Sequence, residues 1–205
     1  MAISKPIPGQ RSGVSITPRD VLMSSQVIYG RGTIDAANAY DGANTGKETE
    51  IRAGTIMARI TASNLWVPCK RTQVNMTGAT TTSVVVDDAR AFKVGEVVTI
   101  GANTSITISA INYATNTLTV SSITVVDNTA VFCTSLAGSD IARGVLNEFV
   151  MLKEEDGVAR NQQFGNLILF GMVNAGQILN SMAEIRAASG MFLNGIIWSD
   201  QVGQS

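Results

Sequence analysis

Histidine is missing from this 205-residue chain altogether. The commonest general base, the commonest metal ligand and the usual switch near neutral pH go with it. Cysteine is scarce. Cys69 and Cys133 are too few for a disulfide framework or a four-ligand zinc site. Charge is sparse and mixed in sign, with Lys+Arg 15 against Asp+Glu 16 for a net charge of −1. No basic stripe stands ready to neutralise phosphates, which argues against a nucleic-acid partner. No apolar run is long enough to span a bilayer as a helix, and Met1–Gln10 lacks the apolar core of a signal peptide. The expectation is a chain made in a cytoplasm, with no membrane partner.

What is present is an ordinary apolar content of 45%. That suits a folded chain with enough length for one large or two small domains. A weakly charged surface fits a protein that ends packed against others, because self-repulsion would oppose crowding.

Along the chain, residues 1–20 hold Pro6, Pro8 and Pro18 among glycines and hydroxyl residues, with isolated Ile3, Ile7, Val14 and Ile16. Proline removes donors and disfavours helix, so this segment reads as an arm. It is either a frayed terminus or a strand for a partner's sheet edge, and Val14-Ser15-Ile16-Thr17 alternates as such a strand would. Residues 27–70 read as β structure, with Gly30-Arg31-Gly32 as a turn and Asp41–Gly46 as a polar loop. Ile56, Ala58 and Ile60 fall on one face of a strand, and Pro68 bars a central strand where it stands.

Between Gln73 and Ser135 the composition shifts to Thr, Val and Ile. Five short strands are expected there, at Ser83–Val86, Glu96–Ile100, Ile106–Ile111, Thr117–Val120 and Ala130–Phe132. Asn112–Asn116 makes a hairpin turn, and Asp88–Phe92 one helical turn with Asp88 at its N-cap. This stretch reads as a small β barrel or sandwich, residues 73–135, inserted into a host formed by residues 21–72 and 136–205. Cys69 and Cys133 flank it, near each other at its neck and as buried thiols. The host resumes with a strand over Ala142–Val150, a charged turn at Lys153–Gly157 and a strand over Asn166–Val173. Ile178, Leu179, Met182 and Ile185 predict a short amphipathic helix over 178–188, capped by Gly190 and followed by a strand over Met191–Trp198. The fold class expected is mainly β with one short C-terminal helix.

Groups for catalysis are few. Glu154, Glu155 and Asp156 form the densest acidic cluster, but successive carboxylates diverge and no EF-hand spacing follows, so a solvated turn is expected. Asp87-Asp88 ends a strand. Cys69 has no histidine to activate it and no C-x-x-C partner. Gly42–Lys47 fails the spacing of a phosphate-binding loop. The expectation is no enzyme, no catalytic or metal-binding residues, and no cofactor.

Four segments, in order, carry a family likeness. Arg52–Thr61 resembles the strand of phage head decoration proteins in which glycine opens a "GT-VLG-IT" run. Ala142–Leu146 resembles their "A-GVL" strand, and Phe170–Asn174 with Leu179 their "G-VN---L" step. Met191–Trp198 resembles their closing "GI" strand. The likeness covers roughly residues 20–70 and 138–200. It implies a β-tulip-like host and a homotrimer on the outer capsid surface of the virion. It also implies an arm, carrying Ile3, Ile7, Val14 and Ile16, ordered against the major capsid protein. Two other readings accompany it: a host-surface or glycan-binding module, and a tail structural protein. For the former the 73–135 segment offers Phe92, Tyr113 and Phe132 as aromatics, two of them where core residues would sit.

Overall fold

The structure, a computed structural model, describes residues 27–76, 80–154, 156–180, 185 and 196–199. The chain is mainly β. The strands in order are β1 (Ile28–Ile34), β2 (Glu50–Ile51), β3 (Ile56–Arg59), β4 (Trp66–Pro68), β5 (Arg71–Gln73), β6 (Thr80–Val85), β7 (Val97–Ile100) and β8 (Asn103–Thr107). They continue as β9 (Ala110–Asn112), β10 (Thr117–Thr124), β11 (Ala130–Cys133), β12 (Ala142–Leu146), β13 (Val150–Met151), β14 (Gln162–Asn174) and β15 (Ile196–Ser199).

The principal sheet runs β1-β4-β3-β12-β14-β15, and a further pairing of β1 with β14 closes its first five strands into a barrel. Ile56, Val145 and Ile168 stand in one row across β3, β12 and β14, and Tyr29 of β1 extends it. Strand alternation then sends their neighbours to the opposite face. Every barrel strand supplies residues to one cluster, which includes Ile34, Met57, Trp66, Leu146, Phe164 and Leu167. This is the barrel interior. The other cluster joins Ile56, Ala58, Val145 and Ile168 to Val173, Ile178, Ile185 and Ile196. Those last residues cover the outer wall of β3, β12 and β14, which is why these strands read as nearly continuous apolar runs rather than alternating ones.

Strands β5 to β11 pair only with one another, in a four-stranded sheet β5-β11-β7-β8 and a three-stranded sheet β6-β10-β9. Between them lies a core of their own, with Val84, Phe92, Val98, Ile108, Leu118 and Val131 among its members. Asn112 shapes the β9–β10 turn by accepting the Ala114 and Thr115 N–H groups on its side-chain oxygen, and Asn116 takes the left-handed conformation at φ 49°. After Asp88 the chain makes a hydrogen-bonded turn rather than a helical one, closed by Phe92 N–H donating to the Ala89 carbonyl at 3.1 Å.

Several expectations need correction. Gly30-Arg31-Gly32 is no turn but the middle of β1. Its glycines answer to packing: a Cβ on Gly32 would lie 2.4 Å from the Trp66 ring nitrogen and 2.8 Å from Phe164. Pro68 does end a strand inside the sheet. It is tolerated because β1 pairs with β4 only at Ile34–Trp66, so no ladder bond is asked of the missing N–H. Ile60 lies past the end of β3 and joins the barrel interior with Met57, instead of continuing the face of Ile56 and Ala58. The Ile106–Ile111 strand is broken at Ile108, which turns into the core between β8 and β9. The Ala142–Val150 strand likewise divides, and Val150 leaves to pair with Ile51. No helix begins at Ile178: a 3-10 turn at Ala175–Gln177 precedes it, and Ile178 itself is extended. Ile185 is helical. The rest of the predicted helix beyond Asn180, its Gly190 cap and Met191–Gly195 lie outside the described residues.

Candidate functional site

The acidic hairpin after β13 is held open to solvent by its own ion pairs. Lys153 bridges Ala159 across it, and Arg160 pairs with Glu154 and, at 2.6 Å, with Asp156. The Val158 N–H and then Arg160 pull the Asp156 carboxyl below the ordinary aspartate range, while Asp156 and Glu154 raise Arg160. A carboxyl lowered in this way, as at Asp156, is a poor general acid near neutral pH. With Met151 and Gln162 they line a shallow recess, and Glu155 lies outside the described residues. Among the described residues no group of three His, Cys, Asp or Glu side chains is placed to hold a metal ion. Cys69 and Cys133 are both buried. Their backbones meet at the neck, where Cys133 N–H donates to the Lys70 carbonyl at 3.1 Å. Their side chains enter different cores.

Polar groups concentrate instead where β5–β11 meet the barrel. Lys70, in the short crossing from β4 to β5, is fully buried. Its ammonium donates to Glu96 Oε1 at 2.7 Å and to the Ala91 carbonyl at 2.6 Å. The other Glu96 oxygen accepts the Lys93 N–H at 3.1 Å. Lys93 Nζ reaches back to the Ala37 carbonyl on the barrel side at 2.6 Å and lies 5.8 Å from the Tyr40 ring centre. Tyr40 packs on Tyr113 with ring centroids 5.7 Å apart. Burial raises both tyrosines above the ordinary phenol value; a neighbouring Glu48 adds to the effect at Tyr40, and Tyr40 adds to it at Tyr113. Gly42 N–H donates to the Arg90 carbonyl across the same boundary at 2.9 Å. Beside it Asp88 is raised mainly by burial, against the pull of Arg90 and with the help of Asp41, whose own partner is Arg52.

Sequence reasoning missed this cluster. Nothing in the spacing of Cys69-Lys70-Arg71 says that Lys70 points inward. Each of the three aromatics of the 73–135 segment has a partner within the chain. Phe92 is buried, Tyr113 donates its hydroxyl proton to the Phe92 carbonyl at 2.9 Å, and Phe132 lies beneath Arg71.

A second surface lies at the barrel seam. Ile28 and Phe170, cross-strand partners on β1 and β14, are 58% and 40% exposed. Tyr29 and Met172 beside them are exposed as well. These residues sit at the point where the chain enters the barrel. The arm residues Ile3, Ile7, Val14 and Ile16 lie outside the described residues. Among the described residues, the seam offers apolar contact area. No model of a protein family matches this chain, and no curated protein matches it.

Proposed function

We propose that this protein is a capsid decoration protein, a homotrimer that binds the outer surface of a mature phage head and stabilises it against internal pressure. The observation that carries the reading is the placement of the four segments that resemble the family. Their described residues fall on or beside β3, β12, β14 and β15, which are successive neighbours in one sheet although the chain between β3 and β12 builds another set of strands. Segments picked out by their order along the chain are thus neighbours in space. The exposed Ile28, Tyr29, Phe170 and Met172 supply an apolar contact beside the arm that would pair with the major capsid protein. Strands β5–β11 would then form an inserted domain facing outward.

A protein that binds only the assembled shell stabilises it by mass action, by about 2.7 kcal/mol per site when free protein is one hundred times its dissociation constant. Arm pairing adds backbone hydrogen bonds, each worth roughly 0.5–1.5 kcal/mol net. The test compares particles with and without this chain under heat and chelator. Complete particles are expected to retain their DNA at temperatures where depleted ones release it. Equal survival sinks the reading.

A further inference from the structure

We infer that Lys70 is a latch that fixes strands β5–β11 on the barrel in one orientation, so that the two open and unfold as a unit. The inference stands apart from the capsid reading and rests on geometry alone. A crossing that merely connected two sets of strands would leave its lysine in water. Burying an ammonium is unfavourable unless its protons find partners, and even a well-paired buried ion pair is often no more stabilising than apolar side chains of the same size. What such a pair does supply here is a single fit. Glu96 is held at both oxygens: one by Lys70 of the crossing, the other by the N–H of Lys93. Lys93 then returns to the barrel through the Ala37 carbonyl and the face of Tyr40.

The relay therefore grips the barrel at two separate points, the crossing after β4 and the loop after β1. Two points of attachment remove the rotation that one crossing would allow. The crossing is itself tied to the returning chain, because Lys70 N–H donates to the Ser139 carbonyl at 2.8 Å. Gly42 N–H, bonded to the Arg90 carbonyl, spans the boundary and reports whether it is closed.

The test uses the full chain carrying Lys70→Met with Glu96→Leu, which replaces the pair by apolar groups and leaves no charge stranded. Calorimetry and amide hydrogen exchange are read together. The unaltered protein is expected to melt in one transition. The double variant is expected to melt in two, with exchange at the Gly42 amide accelerated at least tenfold. One transition in the double variant with Gly42 protected as before overturns the latch, and so does an unaltered protein that already melts in two. If the double variant does not fold, Lys93→Ala, outside both cores, serves instead. Tenfold faster exchange at Gly42 supports the relay, and unchanged exchange overturns it.

Discussion

Replacing Gly144 by alanine tests how closely β12 and β14 approach inside the barrel wall. A Cβ built at Gly144 lies 2.8 Å from the Ile168 carbonyl oxygen and 2.8 Å from Leu167 Cγ. The first is backbone and cannot swing aside, so the two strands must part or Leu167 must leave its rotamer. Overpacking of this kind costs about 1–3 kcal/mol. For a chain of this size each kcal/mol moves the melting temperature by about 2–4 °C, so a fall of about 2–12 °C is expected. Gly165 on β14 is the control, since a Cβ there meets no heavy atom within 4 Å. Gly165→Ala reduces the freedom of the unfolded chain without a clash and should raise stability by about 0.4–1 kcal/mol, or about 1–4 °C. Both variants are measured by calorimetry and urea unfolding at unchanged m-value. The signs must be opposite. A Gly144→Ala protein as stable as the parent would mean that the strands do not approach as described, and the row joining Ile56, Val145 and Ile168 would lose its support.

The remaining predictions concern the junction and the thiols. Asp88 is raised by burial, flanked by Arg90 and Asp41. Its ionisation therefore costs the folded state stability, a cost absent below the ordinary aspartate range near about 4 and reached as pH climbs through the raised value. Asp88→Asn, which keeps the acceptor for the Arg90 N–H, should gain on the parent in melting temperature between pH 3.5 and pH 7, and a variant that loses ground over that span would refute the assignment. Cys69 and Cys133, 1% and 2% exposed, should resist a thiol reagent in the native protein and react after denaturation. Fast native labelling of either would contradict the packing of its core.

Much of the β architecture is legible because it rests on local signals. Alternation marks Thr117–Val120, the asparagine-rich turn marks the hairpin before it, and the apolar run at Asn166–Val173 marks the strand that organises the barrel. The misreadings share one cause, which is tertiary packing that overrides local chemistry. Gly30 and Gly32 look like a turn until Trp66, Phe164 and Leu169 are seen to occupy the space where side chains would go. Ile178 follows helical spacing, yet its burial comes from lying extended against the outer wall of the barrel. Lys70 gives no sign of its burial, because the carboxylate that receives it stands 26 residues away. The contact surface is half legible: an apolar residue in a strand pattern announces a face, but Ile168 and Phe170, two apart on β14, differ in exposure because the covering residues bury the first and leave the second open.

The register of β3 on β12 also dictates an order of events. Ile56 and Val145 are partners, and a disordered stretch of about 90 residues would have to close to bring them together. If the intervening strands have already folded, with Lys70 and Ser139 side by side at their base, the stretch left to close is only about a quarter as long. That is about two halvings of loop length, about 1.2 kcal/mol and roughly an eightfold gain in closure rate. A middle segment that folds first is thus a kinetic shortcut for the two ends that flank it.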